Sequence, residues 1–129
     1  MNFYNINDSC NIYKDQIVNI YYKNMSQTGF VSNLTFFDEN CKCSINNEDY
    51  IGAYHVLVRL AENQIHRFNY TNFIGTCQIV PQGVLISVVG RCQIITFSNI
   101  AVREIIFNET FLICNNKNKI INYICKYLF

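Results

Sequence analysis

Near residue 66 the spacing of apolar positions settles into a sheet-forming back, behind a front that is helical apart from one short strand pair. From Asp8 to about Met25, Tyr13, Ile17, Ile20 and Tyr21 recur at helical intervals and form one stripe, which Val18 and Tyr22 widen. Asp8 or Ser9 offers a side-chain oxygen to cap that helix. Gly29 breaks the pattern, and Phe30 to Leu34 reads as a short second helix. Cys41 to Ile45 then reads as a strand, Asn46-Asn47-Glu48-Asp49 as a polar turn, and Tyr50-Ile51 as a returning strand. After Gly52, Tyr54, Leu57, Val58, Ala61 and Ile65 predict a third amphipathic helix.

From His66 onward the period is two. Arg67 to Cys77 is a strand, and Pro81-Gln82-Gly83 a tight turn. In the next strand Val84, Ile86, Val88, Cys92 and Ile94 face one way, and Leu85, Ser87, Val89, Arg91 and Gln93 the other. Val102–Cys114 and Lys119–Tyr127 follow, joined by the loop Asn115-Asn116-Lys117-Asn118. The order predicts a single α+β domain over residues 1–129, with three N-terminal helices on one face of an antiparallel sheet. The other sheet face is rich in Ile, Phe and Val and needs a cover, so a dimer is expected.

Composition narrows the chemistry. Half of the residues are hydrophobic and 15% are charged, which fits a globular domain. A net charge of +1 gives no global field toward nucleic acid or an anionic membrane, and neither is expected as a partner. The opening Met1-Asn-Phe-Tyr-Asn lacks the pattern of a secretory signal, and no apolar stretch approaches the roughly 18 residues of a membrane span, so an intracellular protein is expected. The 7 cysteines read as small hydrophobes of a reducing compartment. Cys41-Lys42-Cys43 is their one close pair, without a second pair at a zinc-ligand spacing, and no metal or cofactor is expected. Asp38, His55 and His66 lack partners at a telling spacing, and Cys92 and Cys114 read as inert thiols, so the expectation is no catalysis.

Six local patterns, in order, resemble the nuclear transport factor 2 family. They are Ile17-Val18-Asn19-Ile20-Tyr21-Tyr22, Phe36-Phe37 with Cys41–Ile45, and Tyr50-Ile51-Gly52. Leu85–Gly90, Phe107-Asn108-Glu109-Thr110-Phe111-Leu112-Ile113 and Ile121–Tyr127 complete the set. The resemblance spans roughly Ile12 to Tyr127. It implies a cone: a strongly bent sheet wrapped around helices, with members pairing sheet to sheet as homodimers or with a related domain. The dimer face is expected at Leu85, Val89, Arg91, Ile105 and Phe107.

The function it implies is nucleocytoplasmic transport of protein or mRNA, by a non-enzymatic binding domain moving between cytoplasm and nucleus. A peptide-binding adaptor of the stress-granule-scaffold type is the alternative, and a lyase or isomerase using the cone cavity a third. A groove for Phe-Gly-containing peptides or nucleoporins is expected at Tyr13, Ile17, Phe36 and Phe111. Where the Ran-binding member carries acidic residues, this chain has Asn46, Ile95 and Phe97, which speaks against Ran as a partner.

Overall fold

The computed structural model describes residues 10–128, without the side chain of Val18. Asp8 and Ser9, the expected caps, lie outside the described residues. Residues 10–27 form a continuous N-terminal helix that winds as a π-helix over Gln16–Tyr21 and as an α-helix over Tyr22–Gln27. A 3₁₀ helix, Phe30–Phe36, leads directly into β1, Phe37–Ile45. Asn46 and Asn47 both adopt left-handed φ (46° and 71°), the requirement of a two-residue hairpin turn, and β2 (Glu48–Ile51) folds back on β1. The second α-helix is Ala53–Glu62. Four long strands complete the domain: β3 (Ile65–Val80), β4 (Gly83–Thr96), β5 (Ala101–Cys114) and β6 (Lys119–Leu128).

The six strands form one sheet in the order β2-β1-β6-β5-β4-β3. All neighbours are antiparallel except β1 and β6, which run parallel and correct the expectation of a wholly antiparallel sheet. The three helices pack on the inner side of this curved, unclosed sheet. In β4 the alternation holds as read: Val84, Ile86, Val88, Cys92 and Ile94 are buried, and Leu85, Ser87, Val89, Arg91 and Gln93 face outward. Gly90 sits where β3 bulges between Tyr70 and Asn72. A Cβ there would lie 2.2 Å from the Asn72 carbonyl oxygen, so only glycine permits the two strands to approach so closely.

Both helix stripes differ from the sequence reading. In the N-terminal helix the buried residues are Ile17, Tyr21, Tyr22 and Met25, while Ile20 is 46% exposed. The π turn is the cause: its hydrogen bonds span five residues, each residue rotates less about the axis, and adjacent Tyr21 and Tyr22 both reach the sheet. Asn33 of the 3₁₀ helix, fully buried, supports this turn. Its amide donates to the Tyr21 carbonyl at 3.0 Å and its oxygen accepts from the Asn24 amide at 2.9 Å. In the second α-helix Ala53, Val56 and Leu60 are buried and Tyr54 is 65% exposed. Ile65, counted into that stripe, is instead the first residue of β3, and its burial follows the strand's phase.

Replacing Asn33 by alanine strands the Tyr21 carbonyl and the Asn24 amide. Asn33→Ala is expected to cost about 1–3 kcal/mol, read as a lower urea midpoint at unchanged slope. An unchanged midpoint would show that the π turn does not depend on this contact.

Candidate functional site

The interior of the cone is built around one carboxylate. Strand alternation in β5 turns Ile105, Phe107, Glu109, Phe111 and Ile113 inward, so Glu109 occupies a position that its neighbours fill with apolar side chains. It is fully buried, and three tyrosine hydroxyls donate to it. Tyr21 reaches Oε2 at 3.1 Å, Tyr22 reaches Oε1 at 3.1 Å, and Tyr123 from β6 reaches Oε2 at 2.5 Å. The first two come from the π turn and its α-helical continuation, so the carboxylate joins helix to sheet.

Aromatic rings occupy the space around it. Tyr21 packs on Phe111 at 5.0 Å, and Tyr22 on Phe73 at 4.8 Å and on Tyr70 at 4.9 Å between ring centroids. Phe37 meets Tyr123 at 5.5 Å, and Phe68 stacks on Tyr127 at 5.3 Å. Burial raises the Glu109 pKa above the usual carboxylate range, against the opposing pull of the hydrogen bonds from Tyr123, Tyr21 and Tyr22. Burial, and then the Glu109 charge, push Tyr21 and Tyr22 well above the usual phenol value. Glu109 escaped the sequence reading because a carboxylate in an amphipathic strand is ordinarily assigned to water. The available signal was parity: it shares its face with Phe107 and Phe111.

Around the outside, the expected groove residues separate into two groups. Tyr13 and Phe36 are half-buried and line an open groove of about 430 Å³ with Ile12, Gln16, Ile20 and Lys119; the Tyr13 hydroxyl donates to Asn118 Oδ1. Ile17 is buried beneath a small adjoining recess. Phe111 is not in the groove: it lies fully inside, opposite Tyr123 across the β5–β6 ladder.

The expected dimer face needs a similar correction. Leu85, Val89 and Arg91 face outward, but Ile105 and Phe107 are 4% and 0% exposed. Residues directly opposite in a ladder share a face, and Ile105 pairs with inward Cys92 and Phe107 with Gly90. The outward residues of β5 are Glu104, Ile106, Asn108, Thr110 and Leu112. Across β3, β4 and β5, Ile74 lies opposite Val89, with Ile106 diagonal to it; all three are exposed. Arg91 and Glu104 form an ion pair at 3.6 Å beside this patch, and Thr71 donates to Glu104 at 2.6 Å.

Of the three positions expected to match Ran contacts, two are exposed and one is buried. Asn46 is an exposed turn residue whose Oδ1 accepts from the Tyr127 backbone N–H at 2.9 Å. Phe97 is exposed and stacks on His66 at 4.8 Å. Ile95 is buried, because a bulge between Gln93 and Ile95 turns both Ile94 and Ile95 inward. His55 stacks on Tyr50, and Asp38 pairs with Lys117. Cys41 and Cys43 bring their sulfurs within 3.7 Å, and among the described residues no group of three or more His, Cys, Asp or Glu could hold a metal ion.

The raised Glu109 pKa fixes a pH dependence. A group that titrates higher in the folded state than unfolded stabilises the fold below its unfolded pKa of about 4.3, and that contribution is lost as pH rises through the folded value. Glu109→Gln keeps the shape and cannot ionise. The variant is expected to gain stability relative to the parent as pH rises from about 4. Denaturant midpoints for both proteins across that range check this, and parallel curves would show that Glu109 ionises as easily folded as unfolded.

No family model matches the sequence, and no curated protein matches it. Solved structures do. Nuclear transport factor 2 (Ntf2) from Cryptosporidium parvum superposes with a TM-score of 0.73 at 14% identity, covering 92% of this chain and 94% of that one. A protein from Xanthomonas campestris pv. campestris assigned as a polyketide cyclase gives 0.69 at 14% identity, covering 90% of each chain. The C. albicans Mtr2–Mex67 M domain complex gives 0.69 at 9% identity, covering 91% and 93%. The fold is thus one shared by transport factors and by proteins named as cyclases, and it occurs in a two-protein complex. With its three helices, its curved six-stranded sheet and these likenesses, the chain has the nuclear transport factor 2-like fold.

Proposed function

We propose that this domain is a non-enzymatic binding protein of nucleocytoplasmic transport, working in protein or mRNA movement between cytoplasm and nucleus. It pairs through the outer face of its sheet with a second copy or a related domain. The observation that carries the reading is the division of polarity between the two sheet faces. Inside, aromatic rings fill the cone, and three hydroxyls already occupy Glu109, the one fully buried carboxylate among the described residues. Outside, Ile74, Val89 and Ile106 form an apolar centre beside the polar Arg91–Glu104–Thr71 cluster, the arrangement of a protein-binding patch.

Likeness to Ntf2 and to the Mtr2–Mex67 M domain complex supports transport, and the proteins named as cyclases supply the competing enzymatic reading. An enzyme using the cone has to admit its substrate to the polar group there, and Glu109 is sealed from solvent. The groove of Tyr13, Ile17 and Phe36 is the place for a Phe-Gly-containing peptide, with aromatic walls and the Lys119 ammonium at its edge. Ran is a poor partner, since Asn46 and Phe97 carry no charge and Ile95 is buried.

Light scattering at tens of micromolar is expected to show a dimer, or a heterodimer once the related domain is supplied. Val89→Glu or Ile106→Glu places an unpaired charge at the centre of the patch and is expected to weaken pairing about a hundredfold, near 3 kcal/mol. A wild-type monomer that also ignores related domains would sink the sheet-face reading. Binding of Phe-Gly peptides that survives Phe36→Ala unchanged would remove the groove from it.

A further inference from the structure

The two edges of the sheet are built differently. β2 ends one side with 4 residues, among them the carboxylates Glu48 and Asp49. A short, charged edge strand offers little backbone to another chain. β3 ends the other side with 16 residues. Its first part is guarded: a bulge between Tyr70 and Asn72 interrupts the pairing, and Arg67 reaches the Ser26 carbonyl at 3.4 Å. From Asn72 to Val80 the register with β4 is unbroken, and the segment holds no proline and no charged residue. Among the described residues, no backbone hydrogen bond joins it to anything but β4.

The turn after β3 fixes which backbone groups are left over. Only Pro81 and Gln82 separate Val80 from Gly83, so that pair closes the hairpin with hydrogen bonds. Bonded and non-bonded pairs alternate along an antiparallel ladder, so Gln78, Thr76 and Ile74 also bond to β4. Phe73, Gly75, Cys77 and Ile79 turn their N–H and C=O groups to the open side. These four residues also face inward, since Gly75, Cys77 and Ile79 lie opposite buried Val88, Ile86 and Val84. Phe73 stacks on Tyr22, yet Ile79, pointing the same way, is left 41% exposed.

We propose that β3 pairs antiparallel with β3 of a second copy about a two-fold axis at Thr76, joining the two domains into one continuous sheet. The segment is self-complementary in that register. Asn72 to Val80 is centred on Thr76, so the bulge of one copy and the Pro81 turn of the other limit the pairing at both ends. Phe73 meets Ile79 of the other copy and Gly75 meets Cys77, which supplies about eight N–H···O bonds between the strands. An aromatic ring thereby covers the exposed Ile79, a favourable cross-strand pair. No charge opposes a like charge, since His66 and Arg67 lie beyond the paired segment. This match of length and side chains selects a second copy over an unrelated strand. The contact uses the sheet edge, so it adds to pairing through the outer face and does not replace it.

The test is disulfide trapping across the axis, in the whole chain with Cys77→Ser as background. Residues facing each other at the centre of this pairing have Cα atoms about 4.5 Å apart, within reach of a disulfide. Thr76→Cys is therefore expected to give a cross-linked dimer under mild oxidation at tens of micromolar. Gln78→Cys, also exposed, is the register control. It faces Ile74 of the other copy, about 14 Å along the strand from its own counterpart, and is expected to link at least about tenfold more slowly. Adding Ile79→Pro removes an edge-facing N–H, leaves the β4 ladder intact and is expected to abolish the link. Ile79→Lys keeps the backbone whole, sets a charge against Phe73, and serves if the proline variant fails to fold. Adding Val89→Glu, which weakens pairing through the outer face, is expected to leave the link in place. The edge pairing is overturned by no link at Thr76→Cys, by equal rates at the two positions, or by a link that survives both Ile79 variants. A link lost with Val89→Glu overturns it too, while an absent link with face pairing intact leaves the sheet-face reading standing.

Discussion

The hydrogen bonds from Tyr21, Tyr22 and Tyr123 to Glu109 are the contact on which the rest of this domain depends. A carboxylate at the centre of an apolar sheet face is unfavourable unless its lone pairs are met, and here hydroxyls meet them in place of a cation. Two of the three donors come from the helix, so the same bonds that satisfy the carboxylate also fix how the helix lies across the sheet. The local helix geometry follows from that demand. A regular α-helix would point neighbouring side chains well apart, and the π turn allows adjacent tyrosines to reach the two oxygens of one group.

Much of the scaffold was legible because each strand has one inward face. The β4 pattern from Val84 to Ile94 is a clean alternation, and Asn46-Asn47 is turn chemistry that leaves few other outcomes. Legibility failed where local geometry departs from the ideal period. The π turn displaced the helix stripe, and the bulge beside Gln93 reversed the side to which Ile95 belongs. Ile105 and Phe107 show a further limit. In a strand with apolar residues on both faces, composition does not say which face meets the core, and the pairing partner decides. Glu109 was hidden for a chemical reason, since two of its three partners lie on a helix 87 and 88 residues away in sequence.

On the proposed reading, the surfaces of the molecule carry its function and the interior holds the fold together. The cone is packed with rings, and its buried Glu109 is held by three tyrosine hydroxyls. The outer sheet face, by contrast, leaves branched aliphatic side chains in water on three adjacent strands. The groove beside the N-terminal helix lies apart from that face, so on the proposed reading one domain holds a partner by its sheet and presents the groove independently.

The parallel pairing of β1 with β6 bears on how the chain assembles. The meander β3-β4-β5-β6 closes through short turns between consecutive strands, which cost little entropy to form. β1 finds its neighbour only after that meander exists, because β6 is made last along the chain and the segment between them spans most of it. Such a non-local closure is slow compared with hairpin formation. A chain still emerging from the ribosome thus holds β1, β2 and the helices without the strand that anchors them. The helices can already pack on β3 and β5, but the β6-facing edge of β1 stays unpaired until synthesis reaches β6.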